Sequence, residues 1–228
     1  MNKKKFSSEL ALVLGLLLNS LAVAFMAQSD FGVSSLTSFP LALSYLLPRL
    51  SFGMWSFLWQ VLAIAMLIIM TRSFRWGYLI SFFIGSIFGY LLDLFTPLLS
   101  HLPQMLPLRI LYYVIGMLIL SIGISLLLRC RLPILPFETF IRGVSSHFNW
   151  PVKWIKTIYD CTSVLLALLT SLLFGRLVGV GIGTIASALM QGTLIQRNFR
   201  FLDSRFTFEA TVPQIGRFIE MEEREKSA

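Results

Sequence analysis

The chain has 228 residues, 56% of them hydrophobic and 13% charged, with a mean hydropathy of +0.78. Soluble domains carry about 25% charged residues and keep much of their surface wet, so a soluble enzyme, a disulfide scaffold and a disordered chain are excluded. The net charge of +8 reads as membrane topology and not as a nucleic-acid footprint, because the cations sit between apolar runs.

Six segments are long and apolar enough to cross a bilayer core of about 30 Å. The first, over 10–29, follows the basic start MNKKK. Its apolar run is too long for a signal peptide, and Ala27-Gln28-Ser29 is a poor cleavage site. Residues 31–50 come next, a semi-apolar stretch broken by Gly32, Pro40 and small polar residues. Spans are predicted at 52–71, 76–94 and 109–128. A second broken stretch, 132–150, carries Pro133, Pro136 and Gly143. The last spans are predicted at 156–175 and 177–197, before a polar tail over 206–228, expected to be a short helix or disordered. The two broken stretches read as re-entrant or interfacial helices, since irregular backbone at membrane depth must be buried in protein or line a water-filled cavity.

The cations fix an orientation. With the N-terminus inside, sixteen of the 19 lysines and arginines are cytoplasmic, and only Arg49, Arg109 and Arg176 lie outside. The predicted fold class is therefore an all-α polytopic membrane protein with six transmembrane helices and both termini cytoplasmic. A single transmembrane domain covers 1–205, and 206–228 is the cytoplasmic tail.

The chain also repeats. A shift of 101 residues places Gly15 on Gly116, Ser20 on Ser121, Ser44 on Ser145 and Arg75 on Arg176. The order span, broken helix, span, span occurs twice, over about 8–100 and 106–200. Three spans per half is an odd number, so the halves are inverted, the layout of many secondary transporters.

Candidate ligand- or ion-pathway residues follow from cost. Asp160 lies inside the fifth span, where a charge costs about 2.5–3.5 kcal/mol. It is either functional or paired with Lys156 at i−4. Glu138 and Arg142, four apart in the second broken stretch, form either a local ion pair or a polar cluster at a cavity mouth, with Thr139 beside them. In the first broken stretch, Ser34, Ser35, Thr37 and Ser38 serve either a ligand or a helix cap, Ser34 and Ser35 being read as caps. Gly179, Gly181, Gly183 and Thr184 open the sixth span as a loosened segment or a point of close backbone approach. The GxxxxGK[ST] phosphate loop is absent. Gly85 and Gly89 read as helix-packing residues. Gln60 and Gln191 read as interhelical hydrogen-bonding amides worth about 0.6–2 kcal/mol, and Asp93 as a residue of the outer edge.

Cys130, at the predicted cytoplasmic edge, and Cys161, inside a span, have no CxxC or Cys/His spacing, so neither a metal site nor a disulfide is expected. No HExxH or GxSxG occurs, and Ser145-Ser146-His147 places neighbours on different helix faces, so no enzyme and no cofactor are expected.

Four segments carry a resemblance: Phe31-Gly32-Val33-Ser34-Ser35, Phe52-Gly53, Pro133 to Gly143, and Gly179-Val180-Gly181-Ile182-Gly183-Thr184. Over about residues 8–200 the chain resembles the YczE/YitT-type bacterial integral membrane proteins, closer to the YczE branch. It departs from them after the first span, where Gly32-Val33-Ser34-Ser35 replaces a Gly-Pro-Trp-Asp-like turn. The resemblance implies a bacterial inner-membrane protein. The leading functional expectation is a small secondary transporter or exporter of a small solute, proton-coupled through Asp160 or Glu138. The alternatives are a substrate-binding subunit of a larger transporter, docked through Ala11/Gly15 or Ala22/Ala24/Ala27, and a non-transporting accessory protein. Expected partners are the bilayer, an unidentified small solute, and a second copy or a partner membrane subunit.

Overall fold

Serine hydroxyls open two of the helices. Ser7 accepts the Leu10 N–H at 3.4 Å and Ser51 the Met54 N–H at 3.1 Å, which satisfies one orphan donor at each helix start. The helices they begin, α1 (Ser8–Ser29) and α3 (Phe52–Thr71), end at Asp30 and Arg72 in the left-handed conformation, φ 57° and 49°. The structure, a computed structural model, describes residues 4–130, 132, 134–175 and 178–209. The expectations placed on Lys3, Arg131, Pro133, Arg176 and the tail from 210 onward, and on the Lys153 side chain, fall outside what is described.

Among the described residues the remaining helices are α2 (Ser35–Leu46), α4 (Trp76–Ser100), α5 (Leu106–Arg129), α6 (Pro136–Phe148), α7 (Val152–Leu173) and α8 (Ile182–Arg205). Helices α1, α3, α4, α5 and α7 are long and apolar enough to cross a membrane. The chain is an all-α membrane protein, with large apolar side chains such as Phe83, Ile69 and Leu173 facing outward. Helix α8 is equally long at 24 residues but less apolar, and it starts at Ile182, not at 177 as expected. The broken stretches become α2, of 12 residues, and α6, of 13. At 1.5 Å per residue neither reaches across a bilayer.

Small residues let α1 and α5 pack antiparallel at the centre. A Cβ on Gly15 would lie 2.8 Å from Leu127 and 3.2 Å from the Gly123 carbonyl. A Cβ on Gly116 would lie 2.9 Å from the Ala22 carbonyl. Without a hydrophobic force between helices in lipid, such close backbone approach supplies the packing energy. Ala11, Ala22 and Ala24 are at most 1% exposed, and Gly15 and Ala27 are also buried. The face expected to dock a partner subunit is therefore consumed inside the chain, because α5 fills it.

Around this pair, α4 packs on α1 and α8 on α5, while α2 packs on α7 and α6 on α3. Two apolar clusters result, one around α1 and α5 and a smaller one joining Leu67, Phe140, Ile141 and Ile155. Helices α3 and α4 also pack on each other, with Gly53 backed directly onto the Gly89 carbonyl. Asp93 of α4 accepts from Ser51 Oγ and, at 2.8 Å, from the Gly53 N–H, so it completes the start of α3. Gly85 lies against Pro136. Both α4 glycines therefore pack helices, as their spacing indicates.

Two short strands correct the expectation for the ends of the chain. β1 (Lys4–Ser7) pairs in parallel with β2 (Phe206–Glu209), Lys5 opposite Thr207. Lys5 Nζ meets Glu209 at 2.8 Å, and that carboxylate raises the ammonium above its ordinary range. Phe6 packs edge-on against Phe206 and Phe208. Residues 206–209 are thus held in a strand, because Phe206 and Phe208 have an apolar partner in Phe6.

Candidate functional site

The first turns of α2, α6 and α7 and the middle of α8 surround a cavity of about 460 Å³, closed at the back by Leu120, Ile124 and Leu128 of α5. Two helix starts, at Ser35 and at Phe137–Glu138, reach its wall. Pro136 at the start of α6 has no N–H to satisfy there. Six residues singled out from the sequence meet in this cavity: Ser34, Ser35, Glu138, Arg142, Asp160 and Gln191, joined by Lys156.

Glu138 is 6% exposed, and neither carboxyl oxygen has a hydrogen-bond partner. The i,i+4 ion pair with Arg142 is not formed. Arg142 is turned to the Leu128 carbonyl, at 3.5 Å. Burial pushes the Glu138 carboxyl up to about 8, against the opposing pull of Lys156 and Arg142. Asp160 does pair with Lys156, at 3.1 Å, but only through Oδ2, and its buried Oδ1 is unpartnered. The Gln191 amide has no partner on either atom, so it makes no interhelical bond and faces the cavity. Among the described residues the cavity wall thus holds two acids, two bases, an unpartnered amide and one ion pair, Lys156–Asp160.

Behind it lies a smaller chamber of about 40 Å³, room for roughly three waters. Asn19, Ser56, Trp59, Gln60 and Tyr159 line it, and each has a buried polar atom with no hydrogen-bond partner. Among the described residues that line it, none is charged. Gln60, expected to bond a neighbouring helix, leaves Oε1 unpartnered. Ser34, Leu36, Leu120, Ile124 and Phe137 line both spaces and form the partition.

The other sequence candidates sit elsewhere. Thr37 lines the chamber and meets the Ser34 hydroxyl at 3.0 Å. Ser34 occupies the N-cap position of α2 but makes no side-chain cap bond, because its hydroxyl is turned to Thr37. Thr139 faces α4, 2.9 Å from Ser81 Oγ. Gly179, Gly181, Gly183 and Thr184 line neither space and pack on the first broken stretch. The Gly183 N–H donates to the Phe31 carbonyl at 2.8 Å, and Tyr113 donates to the Gly183 carbonyl. A Cβ on Gly179 (φ 79°) would lie 2.6 Å from the Ser38 carbonyl. A Cβ on Gly32 (φ 96°) would strike Thr184. Of the two readings of this glycine run, the structure has the close backbone approach. Cys130 is buried and donates to the Leu127 carbonyl, and Cys161 is exposed.

Sequence reasoning missed Asn19, Ser56, Trp59, Tyr159, Lys156 as a wall residue, and Ser187. One signal was present. Asn19 is an amide in the middle of the first long apolar run.

No curated protein and no solved structure matches the chain. Residues 6–199 match a family described as of unknown function (DUF6198), and the chain belongs to that family.

Proposed function

We propose that the protein is a small secondary transporter in which the 460 Å³ cavity is the access route for a small solute and Glu138 carries the coupling proton. The observation that carries this reading is Glu138 itself. It is a buried carboxyl with no partner, on the wall of a cavity that also holds Arg142, Lys156, Asp160 and Gln191. A group left unsatisfied at such cost belongs to a site by default. The reading is of a carrier that takes its solute through this cavity.

The six-span inverted repeat is part of the same proposal. Gly15 meets Gly123, and Gly116 meets Ala22, so each contact becomes the other when 101 is added to one residue and subtracted from its partner. The exchange of α2 onto α7 and α6 onto α3 supports the same pairing. The β1–β2 ribbon supports six crossings, since strands at the two ends of the bundle can pair only on one face, and five crossings would separate them. We place that face in the cytoplasm of a bacterial cell, on the charge asymmetry.

The test is proton movement in proteoliposomes challenged with a panel of amino acids, sugars, alcohols and organic acids. A solute that drives proton flux in the parent protein and not in Glu138→Gln supports the reading. Proton flux of the parent size in Glu138→Gln removes Glu138 from the pathway. No solute-driven flux across the panel, with intact folded protein, moves the protein to the accessory role.

A further inference from the structure

The small chamber and the large cavity are the same place in the two halves of the chain. Under the 101-residue shift, Asn19 falls on Leu120, Thr37 on Glu138, Ser56 on Thr157 and Trp59 on Asp160. The first of each pair lines the chamber and the second lines the cavity. In all, nine of the chamber's fifteen lining residues have a shifted counterpart in the cavity wall. Leu36 and Phe137, themselves 101 apart, line both spaces and stand between them. Two unrelated voids would not share this correspondence.

The volumes differ because one helix pair is shut and the other is not. In the first half α3 is closed on α4, Gly53 against Gly89. The equivalent helices of the second half, α7 and α8, are not packed together, and the cavity lies between them. We infer that the chamber is the closed form of a second access cavity, opening to the face opposite the β1–β2 ribbon when α3 and α4 part and α7 and α8 close. The inference rests on the transporter reading above.

The opposite route differs in chemistry. Where the open side presents Glu138 and Asp160, the closed side presents Thr37 and Trp59, with the unpartnered amide and hydroxyl atoms of Asn19, Gln60 and Ser56. A net-charged solute would find no counter-charge there, whereas a neutral solute with both donors and acceptors would satisfy those atoms. The structure therefore assigns the solute to small uncharged polar molecules.

Five buried atoms without partners mark the chamber as a site, and the shift supplies a distance test. A Cβ on Gly89 would lie 3.4 Å from that of Phe57, close to disulfide separation. Their counterparts are Met190 and Ile158, both exposed and thus tolerant of change. The experiment uses the full chain with Cys161→Ala in proteoliposomes, carrying Ile158→Cys and Met190→Cys, with either Ser56→Cys or Ala188→Cys. A membrane-impermeant sulfonated maleimide probes each face before and after oxidation by copper phenanthroline. Before oxidation, Ala188→Cys reacts from the ribbon face and Ser56→Cys from neither face. Once the 158–190 disulfide forms, Ser56→Cys reacts from the opposite face about tenfold faster and Ala188→Cys slows about tenfold.

Failure of the disulfide to form overturns the inference, as does a disulfide that leaves Ser56→Cys unreactive. An Ala188→Cys that reacts from neither face before oxidation instead removes the cavity as an access route, and the transporter reading falls with it. As a second route to the same state, Gly89→Ala places a Cβ 2.7 Å from the Gly53 carbonyl and wedges α3 from α4. It is expected to expose Ser56→Cys without oxidation. The class assignment is read from the flux panel, where urea, acetamide and glycerol should move and acetate should not. The reverse order overturns the class alone.

Discussion

Residues 8–100 and 106–205 form helices of nearly equal length, yet α3 packs against α4 while a cavity lies between α7 and α8. Helices of 22, 12, 20 and 25 residues in the first are matched by 24, 13, 22 and 24 in the second. What separates them is the chemistry of one contact. Gly53 and Gly89 let α3 and α4 approach to backbone contact, while Trp154 and Met190 stand 101 residues further along, in α7 and α8. The absence of side chains at two positions lets α3 and α4 rest in backbone contact. The wall of the larger cavity carries Glu138, Arg142, Lys156 and Asp160, while the described residues that line the smaller chamber are uncharged. A charged wall resists closure because its groups would lose water without gaining partners.

The largest effect expected is at the closed hairpin. Gly53→Val drives a side chain into the Gly89 carbonyl and should cost about 1–3 kcal/mol or more in thermal unfolding in detergent. Met190→Val, at the counterpart of Gly89 and 49% exposed, should stay within about 0.5 kcal/mol. Equal losses at both positions would end the contrast between the halves.

Asn19→Leu imposes the residue that the second half uses at Leu120. It removes a buried, unpartnered Oδ1 and should stabilise the fold by about 1 kcal/mol while reducing solute flux. A loss of stability would show that Asn19 is a structural residue.

The Glu138 prediction concerns pH. Its buried carboxyl holds a proton up to about pH 8, so reaction with dicyclohexylcarbodiimide, which needs the protonated acid, should be constant at lower pH and fall above 8. The folded value lies above the unfolded one, so this group's contribution to stability declines as pH rises from about 4.5 to about 8. Glu138→Gln should flatten that slope. Labelling that already fades near pH 5 would mean that water or a base reaches the carboxylate.

The smallest effect belongs to the ribbon. Lys5 and Glu209 are both exposed, so Lys5→Gln should leave the melting temperature unchanged within error at physiological salt. A marked fall would give β1–β2 a larger part in joining the two ends.

Much of the fold was legible because lipid imposes a simple rule on sequence. A crossing needs some 20 apolar residues, and 52–71 was bounded correctly from that rule alone. The broken stretches were visible through Pro40, Pro136 and their small polar neighbours, and both became short helices. Residues 206–209 were misjudged because a strand depends on a partner, here Phe6 and its neighbours some 200 positions away. The glycine run at 179–184 could be read as loosening or close approach, and only the presence of Phe31 and Tyr113 beside it decided between them.

The site divided in the same way. Glu138, Arg142, Asp160 and Gln191 stood out because polar groups in apolar surroundings are costly wherever they fall. That they share one wall with Ser35, and that Glu138 lacks the partner four residues away, depended on how α2, α6, α7 and α8 converge. By itself the sequence determined the membrane class and the long apolar helices, because hydropathy and length are local or additive properties of the chain. Tertiary structure alone decided which polar groups are paired, which glycines face a backbone and which half encloses a cavity, because those depend on the distances between helices.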